Sequence, residues 1–182
     1  MTTAVIAFTH RGAALGRSLA DALGGTLHVP ARFAPEAVAE AYSSLEGWTA
    51  WAWARADALV FVGAAGIAVR AIAPHVRDKF SDPAVVSVDE AGRFAAPLLS
   101  GHVGGANELA RRVAALTGGQ AAVSTATDVN GLFAVDVWAR ERGMAITDRV
   151  LAKEVSAALL EGRPVGFASD FGHPCPEGLT TG

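Results

Sequence analysis

A single cysteine, Cys175, excludes an internal disulfide framework and any zinc site built from clustered thiolates. No apolar run approaches the roughly 18 residues that a membrane-spanning helix needs. The N-terminal MTTAVIAFTHRG has no basic stretch leading into a long apolar segment, so no signal peptide is expected. Charge is sparse: 18% of residues are charged and the formal net charge is −3, which argues against a general nucleic-acid binder. These absences lead us to expect a cytoplasmic soluble protein.

What the chain has in plenty is small apolar residues. With 51% hydrophobic residues over 182 positions it can bury a sizeable core, so a disordered reading fails. The length suits one domain plus a small extra piece. There are only two lysines, yet Arg70, His75, Arg77, Lys79 and Arg93 fall close together. Such a local basic patch on an acidic protein suits a discrete anionic ligand, unless these are only solvated surface groups.

The order of elements is readable from periodicity. Residues 4–8 (AVIAF) form a first strand, Thr9 caps a helix to about Leu23, and 27–29 form a second strand. This β-α-β opening is the signature of a parallel sheet. Pro35 starts a helix over 35–46, and Trp48 and Trp51, three apart, can share a helix face, which is usually core packing, with ligand stacking as the alternative. Residues 58–62 (ALVFV) are a buried strand. GAAGIAVR at 63–70 is then a strand-to-helix turn whose free amides favour an anion. Its G-x-x-G spacing is not the dinucleotide fingerprint, so NAD is not expected.

Residues 85–88 and 93–98 flank Asp89-Glu90-Ala91-Gly92 as a β-hairpin. A helix follows from 100–105 to about Thr117, then a short strand at 121–123 and a polar loop at 124–131. Beyond these come a helix over 132–142, a strand at 144–146, a helix ending at Leu160, a strand near 162–168 and a linker-like tail. The expected fold is a Rossmann-like, open, mostly parallel sheet with helices on both faces and a β-hairpin insertion. That domain spans 1–143, and 144–182 begins a small middle region. Ligands in open parallel sheets lie beyond the strand carboxyl ends. The turns at Gly63 and Ser100 and the loop at 124–131 are therefore expected to meet on that edge.

Five ordered stretches carry a family resemblance: GAAGIAVR (63–70), DK with DPAVV (78–86), VDEAGRF (88–94), PLLSGHVGGANELA (97–110) and TATDVNG (125–131). Together they resemble the N-terminal part of the CbiG family of anaerobic cobalamin biosynthesis. The resemblance implies cobalt-precorrin-5A hydrolase activity: water opens the δ-lactone of a cobalt-bound tetrapyrrole, and a former bridge carbon leaves as acetaldehyde. It also implies that cobalt arrives with the substrate, with no cofactor or protein-held metal. Family members continue into a separate C-terminal domain, so this chain is expected to be a fragment or one product of a split gene. That domain or other pathway enzymes are the expected partners, with no nucleic acid and no membrane.

Such chemistry needs an activated water, donors for an oxyanion and a proton carrier. His102 is the best proton-transfer candidate, because its unperturbed pKa lies near neutrality and it sits in a glycine-rich turn. Asp128 or Asp89 can orient it or act as base, though hairpin-tip acids are most often turn formers. The amides of Gly101, Gly104 and Gly105 can form the oxyanion site or hold a peripheral carboxylate. Ser100 is a helix cap or a donor, not a nucleophile, since no base is placed for it. Gly63 and Gly66 form the anion cradle, while Arg70, His75, Arg77 and Lys79 suit the substrate's acetate and propionate groups. Asn107, Thr127 and Asn130, inside the matching stretches, are further expected substrate contacts. The competing reading is a non-catalytic module that binds tetrapyrrole or holds a pathway partner.

Overall fold

The computed structural model describes residues 1–33 and 40–181. The chain divides into two compact units, Met1–Ala122 and Val123–Gly182, rather than after residue 143.

The first unit is built on a seven-stranded sheet. Its strands are Thr3–Ala7 (β1), Thr26–Pro30 (β2), Glu40–Tyr42 (β3), Ala58–Val62 (β4), Ala84–Val88 (β5), Phe94–Leu99 (β6) and Gln120–Ala121 (β7), in the order β3-β2-β1-β4-β5-β6-β7. β1 to β5 run parallel, with Val5 opposite Val60 and Val60 opposite Val86. β6 pairs antiparallel to β5 with a register irregularity at Val85/Val86, and β7 runs parallel to β6. The predicted mostly parallel α/β sheet with a hairpin is therefore present.

Strand side chains alternate between faces, so each face needs its own helical cover. Val5, Ala7, Val60, Val62, Val86 and Val88 pack against His10–Leu23 (α1) and Ala106–Thr117 (α4). Ala4, Ile6, Leu59, Phe61 and Val85 pack against Leu45–Trp53 (α2) and Ala65–Ile72 (α3). β4 is buried throughout because it is central and covered on both faces. Trp48 is core, 5% exposed and edge-on to Phe61 at 5.5 Å.

Local rules set the helix ends. The Thr9 hydroxyl accepts the Gly12 amide at 3.0 Å to start α1, and Gly24 ends it in the left-handed conformation. The helix expected over 35–46 falls in part outside the described residues; within them, β3 and then α2 occupy the segment.

In the second unit, Ala126–Val129 (α5), Val135–Glu141 (α6) and Arg149–Leu160 (α7) are followed by the paired strands Gly166–Phe167 (β8) and Thr180–Thr181 (β9). The strand expected at 144–146 is irregular chain. The tail expected to be a linker folds back: β9 pairs with β8, and the His173 ring stands edge-on to Trp138 at 5.5 Å. Proline and glycine mark turns as readily as linkers, and here they turn the chain onto an aromatic cluster.

Candidate active site

The hairpin decides where the expected site residues go. β5 ends at Val88 on the carboxyl edge of the parallel strands, and the turn at 89–92 sends β6 back toward the amino edge. The 100–105 turn thus lies at the amino edge, beside the start of β5. The turn after β4, with Gly63, lies at the opposite edge. The five residues of β4 separate the edges by about 15 Å at ~3.3 Å per residue. The expectation that the Gly63 and Ser100 turns share one rim is therefore wrong. Reversal of the second hairpin strand is the reason.

At the amino edge two loops are tied together. The Ser100 hydroxyl donates to the Asp82 carbonyl at 2.9 Å, and an Asp82 carboxylate oxygen accepts the Arg77 amide at 2.8 Å. Asp78 closes the same loop by accepting the Phe80 amide at 3.1 Å. The loop that carries Arg77 and Lys79 is thereby fixed to the turn that carries His102. Lys79 lies over the Phe80 ring at 4.9 Å, and His75 packs against the Trp53 ring at 5.7 Å.

The turn itself is tightly wound. Ser100 has φ 55°, the one non-glycine residue in the left-handed region among the described residues. A β-carbon on Gly104 would lie 2.5 Å from the Ser100 β-carbon, and one on Gly101 would lie 2.8 Å from Asn107 Oδ1. Glycine is thus required at both positions by the packing of the turn itself. The amides of Gly105, Ala106 and Asn107 donate to the carbonyls of His102, Ser100 and Gly101 at 3.0–3.1 Å. Gly105, expected to offer its amide to an oxyanion, uses it inside the turn. Ser100 and Asn107 are 6% and 4% exposed, so both hold the turn from within. His102 is half-buried at the rim.

The carboxyl edge collects the other expected groups. The Gly63 amide donates to the Val88 carbonyl at 2.8 Å, and a β-carbon there would press on the Phe8 ring at 2.9 Å. The Arg70 guanidinium folds back to the Gly66 carbonyl at 3.2 Å over the first turn of α3, which has no side-chain cap. Asp89 accepts the Phe94 amide at 2.7 Å and the Ala91 amide at 2.9 Å. Burial pushes its carboxyl up, but the backbone amides of Phe94, Ala91 and Arg93, together with the Arg93 charge, hold it below the ordinary value. An ionised carboxylate saturated by turn amides is a poor base, so Asp89 serves the hairpin. Its neighbour Glu90 accepts the Thr9 hydroxyl at 2.6 Å and ties the hairpin tip to the start of α1.

Thr127, Asp128 and Asn130 belong to the second unit, at α5. Thr127 is 6% exposed and its carbonyl accepts the Leu132 amide at 2.8 Å. The Asn130 side-chain amide donates to the Ala126 carbonyl at 2.8 Å, which closes the end of the short helix. Among the described residues no cluster of histidine, cysteine and carboxylates is arranged to hold a metal ion. Sequence reasoning missed Asp82, whose signal was its place four residues after Asp78 in a polar connection. It also missed Arg32 and Tyr42, which lie in segments without a motif.

Fold and rim together define a doubly wound α/β domain with a histidine-bearing turn tied to a basic loop at one sheet edge. The family model described as "Cobalamin synthesis G N-terminal" matches residues 47–128, and "Cobalamin biosynthesis central region" matches 133–181. The chain belongs to the CbiG family. It is 40% identical over 165 residues to the cobalt-precorrin-5A hydrolase of Salmonella typhimurium, covering 90% of this chain and 47% of that protein. Against the cobalt-precorrin-5A hydrolase of Priestia megaterium it is 34% identical, covering 68% of this chain and 35% of that one. The chain thus spans half or less of the curated relatives it matches. A crystal structure of a cobalamin biosynthesis protein G homolog from Sulfolobus solfataricus shares the fold: the TM-score is 0.58 at 22% identity, over 98% of this chain and 52% of that one.

Proposed function

We propose that this chain is the N-terminal and central part of a cobalt-precorrin-5A hydrolase. The observation that carries the reading is the likeness to a hydrolase of that name across 90% of the chain. The amino-edge rim supports it, because a half-buried imidazole stands in a rigid turn bonded to a basic loop.

In this reading water adds to the lactone carbonyl, the ring C–O bond breaks, and a carboxylate and a hydroxyl are left. A base then takes the hydroxyl proton, the adjacent carbon–carbon bond breaks, and acetaldehyde departs. The bonding electron pair passes into the conjugated macrocycle, which takes up a proton. Cobalt belongs to the substrate throughout. His102 is the proton carrier of the first unit, because imidazole is the side chain whose unperturbed titration lies nearest neutrality. Arg77 and Lys79 bind peripheral carboxylates, Arg77 with a planar fork and Lys79 as a point charge. Asp128 is the second unit's candidate for base or orienting group.

The test is acetaldehyde release from cobalt-precorrin-5A, by this chain alone and by this chain mixed with the C-terminal part of a relative. Release in either mixture is expected. Folded protein that binds the corrinoid yet gives no aldehyde in either would leave only a tetrapyrrole-binding module.

A further inference from the structure

Beyond the carboxyl ends of β1, β2 and β3 the first unit holds a cavity of about 440 Å³. Three segments wall it: Phe8 follows β1, Pro30 ends β2 with Arg32 just beyond, and Tyr42 ends β3 with Ser43 and Ser44 leading to Leu45 of α2. This is the edge at which open α/β sheets seat ligands, and the size falls within the range of small-molecule sites. It lies on the far side of the sheet from His102.

The chemistry of the wall is one-sided. Phe8, Pro30 and Leu45 supply an apolar surface, while Arg32, Tyr42, Ser43 and Ser44 supply the polar one. Each polar side chain can donate a hydrogen bond, and among the described residues of the wall none is an acid. The Ser44 oxygen accepts the Gly47 amide at 3.1 Å, which leaves its own proton to donate. The Arg32 guanidinium lies over the Phe33 ring at 4.4 Å, a contact that favours this position without neutralising the charge. It forms no ion pair with a carboxylate among the described residues. Burial pushes the Tyr42 phenol up and the Arg32 charge pulls it down, with burial prevailing, so the phenol stays a neutral donor at pH 7.

We propose that this cavity binds a small organic carboxylate, with its carboxylate on Arg32 and the hydroxyls and its apolar body against Phe8 and Leu45. A guanidinium beside several neutral donors matches a carboxylate, and the apolar half selects against a bare inorganic anion. The site is separate from the His102 rim, so it stands or falls independently of the hydrolase reading.

Tyr42 is the only tyrosine in the chain, so full-length protein labelled with 3-fluorotyrosine has a single fluorine resonance at this wall. Titration with benzoate should move that resonance saturably. Arg32→Gln should weaken benzoate binding about tenfold or more, and Ser43→Ala about two- to tenfold. Both side chains are exposed, and thermal melting of each variant checks that the fold is kept. Absence of a saturable benzoate shift overturns the proposal, as does a shift that Arg32→Gln leaves intact. Inorganic phosphate binding more tightly than benzoate would also overturn it, because the apolar wall would then play no part.

Discussion

At the amino edge of the sheet the chain turns its polar groups on itself. The Ser100 hydroxyl meets the Asp82 carbonyl, the Asp82 carboxylate meets the Arg77 amide, and three amides at the start of α4 meet carbonyls of the turn before it. At the carboxyl edge the wall around Arg32 borders an open hollow instead. One edge is a braced turn that presents a single imidazole, and the other is a cavity walled in part by hydrogen-bond donors. Bracing suits chemistry, which needs a proton carrier held to within a fraction of an ångström, while an open donor-lined cavity suits binding.

The largest expected effect tests which edge reacts. With the C-terminal part of a relative present, His102→Ala should lower kcat for acetaldehyde release by about 10²- to 10⁴-fold with corrinoid binding retained. His10→Ala is its counterpart at the carboxyl edge, an exposed histidine 4.2 Å from the Phe33 ring, and should change turnover little. The opposite pattern would move the reaction across the sheet.

Glycine substitutions sharpen the contrast in stability. Gly104→Ala forces a β-carbon into Ser100 and should cost about 1–3 kcal/mol in urea unfolding. Gly66→Ala meets only the far end of the Arg70 side chain at 3.2 Å, in a helix. It should be neutral or stabilise by up to about 1 kcal/mol. A destabilising Gly66→Ala with a harmless Gly104→Ala would reverse the assignment of the rigid edge.

A smaller effect separates hydrogen bond from backbone strain at Ser100. Ser100→Ala loses the bond to Asp82 and keeps the left-handed backbone, for a loss of about 1–2 kcal/mol. Ser100→Gly loses the same bond but relieves the strain, so its loss should be smaller. Equal losses would mean that the φ of 55° is not strained in this turn.

Much of this arrangement was legible in the chain, and some that was misread was legible too. The apolar run ALVFV announced β4, and the D-E-x-G turn announced the hairpin. A hairpin reverses direction, so a second strand ending at Ser100 had to finish on the edge opposite Gly63. Placing both turns on one rim overlooked that rule. The carboxyl-edge cavity was not legible, because its wall comes from three segments far apart in sequence and β3 is only Glu40–Tyr42, without an apolar pattern. The strain at Ser100 was hidden for another reason: serine signals a helix cap, and only backbone geometry reveals a left-handed residue.

The two halves of the sheet should also part company with pH, where the effects are smallest. His28 on β2 is 3% exposed, packed against Trp48 and Trp51 of α2, with Glu40 on β3 at 3.6 Å from Nδ1. Burial pushes its pKa below the ordinary 6.5, and Glu40 only partly offsets this. Below that ordinary value the unfolded chain takes up a proton that the native chain declines. Stability is therefore full above about pH 6.5 and falls as pH drops toward the native pKa. Asp89, at the hairpin, is also held below its ordinary value, here 3.8, so its contribution is complete above that pH and is lost only in stronger acid. Urea midpoints read by tryptophan fluorescence should accordingly show two separate acid-side losses. His28→Phe, which keeps a ring against Trp48 and Trp51, should remove the one that begins near pH 6.5 and leave the other. Asp89→Asn should do the reverse. A His28→Phe chain that still loses stability between pH 6.5 and 5 would show that a histidine elsewhere carries that loss.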